Sequence, residues 1–132
     1  MKAARTATRA WAAAGLLALC TPLAAQRLQI LEAIPAAFHG EWAVDLRHCG
    51  TGDNDDRLLV GPRHWQTYES MGQLRAAVAA GRREVALVLD SEGEGEHWQE
   101  TVHLRLDWRG RLHLIGAAHA PLRRRCPAQE SK

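Results

Sequence analysis

The clearest pattern in the chain is an alternation near its end: Val102, Leu104, Leu106 and Trp108 take one side, and His103, Arg105 and Asp107 the other. A period of two sends successive side chains to opposite faces of a strand. Comparable short runs stand at 41–47, 57–60, 64–70, 74–80, 84–90, 97–108, 112–115 and 121–125. Gly, Asp and Pro punctuate them, at Gly50-Thr51-Gly52, Gly61-Pro62, Met71-Gly72, Gly81-Arg82, 91–96 and Arg109-Gly110. Short strands with turns roughly every 8–12 residues predict a sandwich or barrel, not βαβ units. The expected fold is therefore all-β, a small antiparallel barrel of about eight strands.

Three segments are not fixed by a plain period of two alone. The alanines of 74–80 favour helix, but Leu74, Ala76, Val78 and Ala80 alternate, so a strand is expected. In 27–37, Leu28, Leu31, Ile34 and Ala37 recur at helical spacing, which predicts a short N-terminal helix or turn ended by Pro35. Between 106 and 112, a two-residue turn at Arg109-Gly110 would set Leu106 against His113 and mix the faces. A three- or five-residue connection, or a bulge, keeps Leu106 with Leu112 or Leu114.

The first 25 residues read as a secretory signal. Lys2, Arg5 and Arg9 precede an apolar stretch from Ala10 to Leu19, then Thr21-Pro22 and small residues before Gln26. That stretch is shorter than the roughly 20 residues a membrane span requires. The expected division is a signal at 1–25 and one domain at 26–132. Leu17-Ala18-Leu19-Cys20 raises a lipoprotein alternative, acylated at Cys20, but bulky Leu19 stands where such sites carry a small residue. A free periplasmic or secreted product is the expectation, with no membrane span after cleavage.

Cleavage changes the charge. The signal carries three positive and no negative residues, so the formal net charge falls from +2 to about −1. The precursor's basic balance thus gives no argument for nucleic acid. Arg123-Arg124-Arg125 is the only tight basic cluster left, too small alone to signal phosphate binding. Cleavage also removes Cys20, leaving Cys49 and Cys126. Neither belongs to a C-x-x-C, and an exported pair meets oxidising conditions, so a disulfide is expected. It would close a loop of about 78 residues and stabilise the fold by roughly 4.5 kcal/mol.

Candidate chemistry is sparse. None of the seven histidines stands two residues from another, which removes the simplest strand-borne metal pair. His64, His97 and His119 would have to converge across the fold. Asp53-Asn54-Asp55-Asp56 starts like a calcium loop, but Arg57 and the lack of a Gly and Glu at their positions make it a solvated turn. Glu92, Glu94 and Glu96 alternate with glycines, as at a mobile hairpin tip. In Tyr68-Glu69-Ser70, alternation sets Tyr68 and Ser70 on one face and Glu69 on the other; a turn-supporting hydrogen-bond role is favoured there. With no G-x-S-x-G and no phosphate loop, no catalytic residue, metal or cofactor is assigned.

Two resemblances add to this. Ile34-Pro35-x-x-Phe38-x-Gly40-x-Trp42, Cys49-Gly50-Thr51-Gly52, Tyr68-Glu69-Ser70-x-Gly72, Gly93-Glu94-Gly95-Glu96-x-Trp98 and Arg125-Cys126-Pro127 resemble a group of uncharacterised exported proteobacterial proteins, which implies compartment and fold but no activity. Gly40-Glu41-Trp42 with a late arginine is similar to lipocalin-type small barrels. That likeness implies a lipocalin-like barrel in which Arg123 or Arg125 covers the Trp42 indole. Size, export and a single disulfide are also similar to periplasmic lysozyme inhibitors, although their loop motifs are absent.

The functional expectation is a non-catalytic binding module for a small apolar ligand or an envelope protein. Tyr68, Glu69, Ser70, Trp65 and Trp98 are the contact candidates, with Trp108 a further lining aromatic. A periplasmic hydrolase or metal-dependent enzyme, and an inhibitor of a cell-wall enzyme, are the alternatives.

Overall fold

The computed structural model describes residues 27–52 and 54–128, so the signal segment with Cys20, and Asp53, lie outside the described residues. The described chain forms nine strands: β1 (Leu28–Leu31), β2 (Gly40–Ala43), β3 (Leu58–Val60), β4 (His64–Gln66), β5 (Met71–Ala80), β6 (Glu84–Gly93), β7 (Glu96–Leu106), β8 (Leu112–Ile115) and β9 (Arg124–Arg125). They make one antiparallel sheet in the order β8-β7-β6-β5-β4-β3-β2-β9, with β1 added to β5. Leu112 of β8 exchanges backbone hydrogen bonds with Arg123, N to O at 2.9 and 3.1 Å, just before β9 begins. That bridge brings the two ends of the sheet together into a nearly closed barrel.

Alternation decides what fills it. Val85, Leu87 and Leu89 on β6, Leu74, Ala77 and Ala79 on β5 and Leu104 on β7 are buried with Trp42, Leu58, Val60, Trp65 and Leu112. The register of β5 on β6 shifts between Leu74 and Ala76, a bulge that carries the inward face from even to odd positions. Only such a shift lets Leu74 and Ala77 share one core. The strand expected at 74–80 is present, begins earlier at Met71, and tolerates its alanines because tertiary burial overrides propensity.

The β7–β8 connection has five residues, and Leu106 faces Leu112 as the two-face argument required. Asp107 shapes it, accepting from the backbone N–H of Arg109 at 2.8 Å and of Arg111 at 2.9 Å. Trp108 belongs to this turn, 73% exposed, and β7 stops two residues before it.

Of the short helix or turn expected over 27–37, only a turn at its end is present. Residues 28–31 form β1 on the second half of β5, and only Ala36–Phe38 make a single 3-10 turn, which Pro35 begins rather than ends. The apparent helical spacing arose because Leu28 points outward while Leu31 packs against the core. The run at 41–47 also shortens: β2 ends at Ala43 and a 3-10 turn at Leu46–His48 follows, capped by Asp45 accepting from Arg47 N at 2.9 Å.

The plugged end of the barrel is built from this N-terminal segment. Ile34 and Phe38 are both 1% exposed, and the buried Trp42 indole donates to the Phe38 carbonyl at 2.9 Å. Arg125, not Arg123, lies over Trp42, its guanidinium 4.4 Å from the ring centroid, and it donates to the His39 and Ala37 carbonyls. Arg123 instead donates to the Asp56 carbonyl at 2.9 Å. Cys49 and Cys126 are disulfide-bonded beside this seam, where Cys126 N donates to the Glu41 carbonyl at 2.8 Å. Among the described residues no helix is long and apolar enough to cross a membrane.

Candidate functional site at the open mouth

The inward row of β7 changes character along its length. Leu106, Leu104 and Val102 are apolar; the next two inward positions are Glu100 and Trp98, opposite Leu89 and Ser91 of β6. Ser91 is 2% exposed and donates to Glu100 Oε1 at 2.6 Å. The barrel therefore ends, on the side away from the plug, in a carboxylate held by a buried hydroxyl. Glu100 Oε2 accepts no hydrogen bond among the described residues.

Around Glu100 is an open cavity of about 560 Å³, lined by Trp65, Thr67, Ser70, Val102, Leu114 and Gly116 among others. It exists because the strands are unequal. Strand β8 covers only residues 103–106 of β7, so the earlier half of β7 has no partner on that side. Trp65, 3% exposed, forms the floor. Thr67, Ser70, Thr101 and His103 line it beside Glu100, so polar groups share the walls with Val102, Leu114 and Ile115. Volume, an aromatic floor and an oriented carboxylate match what small-molecule sites present.

The rim comes from two hairpins. Strand β4 stops at Gln66, so the run expected through 70 becomes a turn: Thr67 N donates to Ser70 O at 2.9 Å, and Ser70 N to Thr67 Oγ1 at 3.1 Å. Their hydroxyls are 2.9 Å apart. The Tyr68-Glu69-Ser70 segment is thus a hydrogen-bonded turn, and strand alternation no longer assigns its faces. The facing β6–β7 hairpin turns at Glu94 and Gly95, with φ of 50° and 83°. Positive φ at both central residues suits a tight hairpin, and Gly95 supplies one without strain.

The two rims touch at Gly93. A Cβ there would collide with the Glu69 carbonyl and lie 3.3 Å from both Ser70 Cβ and Trp98 Cη2. Two sequence-distant motifs, Tyr68-Glu69-Ser70 and Gly93-Glu94-Gly95-Glu96-x-Trp98, are therefore one rim. A second recess of about 350 Å³ lies outside the turn, lined by Tyr68, Glu69, Glu92, Glu96 and His97 among others. All five contact candidates, Tyr68, Glu69, Ser70, Trp65 and Trp98, belong to this end of the barrel. Trp108 does not; it sits in the turn at the other end of β7.

Glu100 and Ser91 are the residues that sequence reasoning missed. The signal was present: both share the parity of the apolar rows Val102-Leu104-Leu106 and Val85-Leu87-Leu89. Among the described residues no group of three or more His, Cys, Asp or Glu converges to hold a metal ion. His113 is engaged elsewhere, 3.2 Å from Asp107 Oδ2. No protein family, no curated protein and no solved structure matches this chain.

Proposed function

We propose that this protein is an exported binding module that takes a small, largely apolar ligand into the barrel mouth and does not transform it. The observation that carries the reading is the cavity of about 560 Å³ between Trp65, Val102, Leu114 and the Glu100 carboxylate. Apolar walls contribute affinity through burial, and a single fixed carboxylate selects a ligand bearing a hydrogen-bond donor or ammonium group. Export is supported by the tripartite N-terminal pattern and by the Cys49–Cys126 disulfide. The non-catalytic part is supported by the one hydroxyl bonded to Glu100: Ser91 is buried, so its oxygen orients the carboxylate instead of meeting a substrate.

The test uses matched amphiphiles, an alkylamine, alkanol and alkanoate of equal chain length, in thermal-shift and calorimetric titrations. The amine and alcohol are expected to bind and the carboxylate to be rejected by Glu100. Saturation at about a hundred times Kd raises stability by roughly 2.7 kcal/mol. Val102→Trp fills the cavity and should abolish binding, whereas Glu100→Gln should remove the preference for amine over carboxylate. Equal binding by Val102→Trp and the parent would overturn the assignment.

A further inference from the structure

The chain builds a further concave feature at the opposite end of β7 from the mouth. A groove of about 510 Å³ runs between the β7–β8 turn and β9, lined by Leu46, Arg109, Gly110, Arg111, Arg124 and Arg125. The two basic segments are separate in sequence and meet only because β9 closes the barrel against β8. Four guanidiniums in one concavity repel one another, and the neighbouring carboxylate does not offset them all. Asp107 is already engaged by Arg111 Nε at 2.6 Å, by His113 and by two backbone N–H groups. Arg109 and Arg124 form no ion pair among the described residues.

Two of the guanidiniums are fixed in advance. Arg109 lies 4.4 Å from the centroid of Trp108, and Arg125 the same distance from that of Trp42. Stacking on an indole holds the guanidinium plane. Arg125 already donates its terminal N–H groups to the His39 and Ala37 carbonyls, whereas Arg109 keeps its edge N–H groups for an oxyanion. Trp108 itself is 73% exposed and Leu46 37% exposed. A dissolved anion gives no reason for an indole held in water beside the arginines. A bilayer does: indole rings settle at the headgroup level, and basic side chains beside them meet lipid phosphates.

We propose that this end of the barrel docks on an anionic phospholipid surface, with Trp108 in the headgroup region and Arg109, Arg111 and Arg124 on lipid phosphates. The processed chain has a net charge near −1. Attraction to an anionic surface therefore comes from local concentration of arginines and not from net charge, and it orients the molecule with the glutamate-rich mouth directed away from the bilayer.

The experiment is vesicle co-sedimentation with the oxidised processed chain, residues 26–132, which contains every described strand, the core and the disulfide. Vesicles of equimolar phosphatidylglycerol and phosphatidylcholine are expected to bind it, pure phosphatidylcholine vesicles not, and high salt should release it. Arg109→Gln and Arg124→Gln should each weaken partitioning roughly five-fold. Trp108→Ala should weaken it further, and brominated lipid should quench the fluorescence lost in that variant. Glu100→Gln should bind vesicles as the parent does, which separates this proposal from the mouth reading. If an arginine variant fails to fold, salt release and Trp108 quenching in the parent decide the matter. Equal binding to neutral vesicles, no binding, or unchanged binding by folded arginine variants would overturn the proposal. So would saturable binding of soluble glycerol phosphate with no vesicle association, which would make the groove a free-anion site.

Discussion

Asp107 shows how much one side chain can organise in so short a chain. It accepts hydrogen bonds from Arg109 N, Arg111 N, Arg111 Nε and His113 Nε2, so one carboxylate closes the β7–β8 turn and anchors both strands. Burial works against its charge. The hydrogen bonds from the Arg111 backbone, the His113 ring, the Arg111 guanidinium and the Arg109 backbone outweigh that and hold its carboxyl well below the usual carboxylate range. The pH consequence has a definite sign. A group whose folded pKa is depressed contributes stability above its unfolded value near 3.9, and loses it as pH falls toward the folded value. Urea unfolding midpoints should therefore drop below about pH 4, and Asp107→Asn should flatten that drop. A residual slope is expected from Asp45, which the Arg47 hydrogen bonds hold low in the same way. An unaltered acid limb in Asp107→Asn would remove the turn from the account.

Among elements, the two facing hairpins do the most for the candidate site. Gly93 permits the 67–70 turn to lie directly on the β6–β7 hairpin, and the obstacle to any larger residue is the Glu69 backbone rather than a flexible tip. Gly93→Ala is expected to destabilise by about 1–3 kcal/mol and to lift the turn from the rim. Chemical denaturation measures the first effect, and weaker amphiphile binding reports the second. Parent-like stability would mean that the rims do not press together.

The positions of β2 to β9 were largely legible in the sequence, because alternating burial on a curved sheet leaves a period of two in the residues. Strand β1 was not legible. Ile30 is 85% exposed and Leu28 71% exposed, so hydrophobicity there marks neither an inward face nor a helical one. The mouth was legible in part: the aromatic and turn residues were singled out, whereas Glu100 and Ser91 looked like ordinary polar positions until the register put them inside. Of the arginine groove only Arg124 and Arg125 stood out, as part of a tight basic cluster; its other half depends on β9 meeting the β7–β8 turn at barrel closure.

At the scale of the whole molecule, the three long strands β5, β6 and β7 have 10, 10 and 11 residues, while β2, β3, β4, β8 and β9 have between 2 and 4. One half is a long curved meander; the other is a set of brief pairings that completes the circle. Charge follows the axis as well, with glutamates about the mouth and arginines about the plugged end. The Cys49–Cys126 bond spans 77 residues of sequence and lies in the short-stranded half. Replacing both cysteines by serine should cost roughly 4.5 kcal/mol in the chain-entropy picture, measurable as a lowered urea midpoint.

The two-residue β9 carries a kinetic consequence. A strand that short has little cooperativity of its own, so with the sulfur link cut its amides and those of β2 should be the first to trade hydrogen for deuterium. The β5–β6–β7 amides should keep their protection under the same reductant. The molecule would then unzip along a single line while its larger half stays folded, making thiol balance in its surroundings a control on whether the ring stays shut.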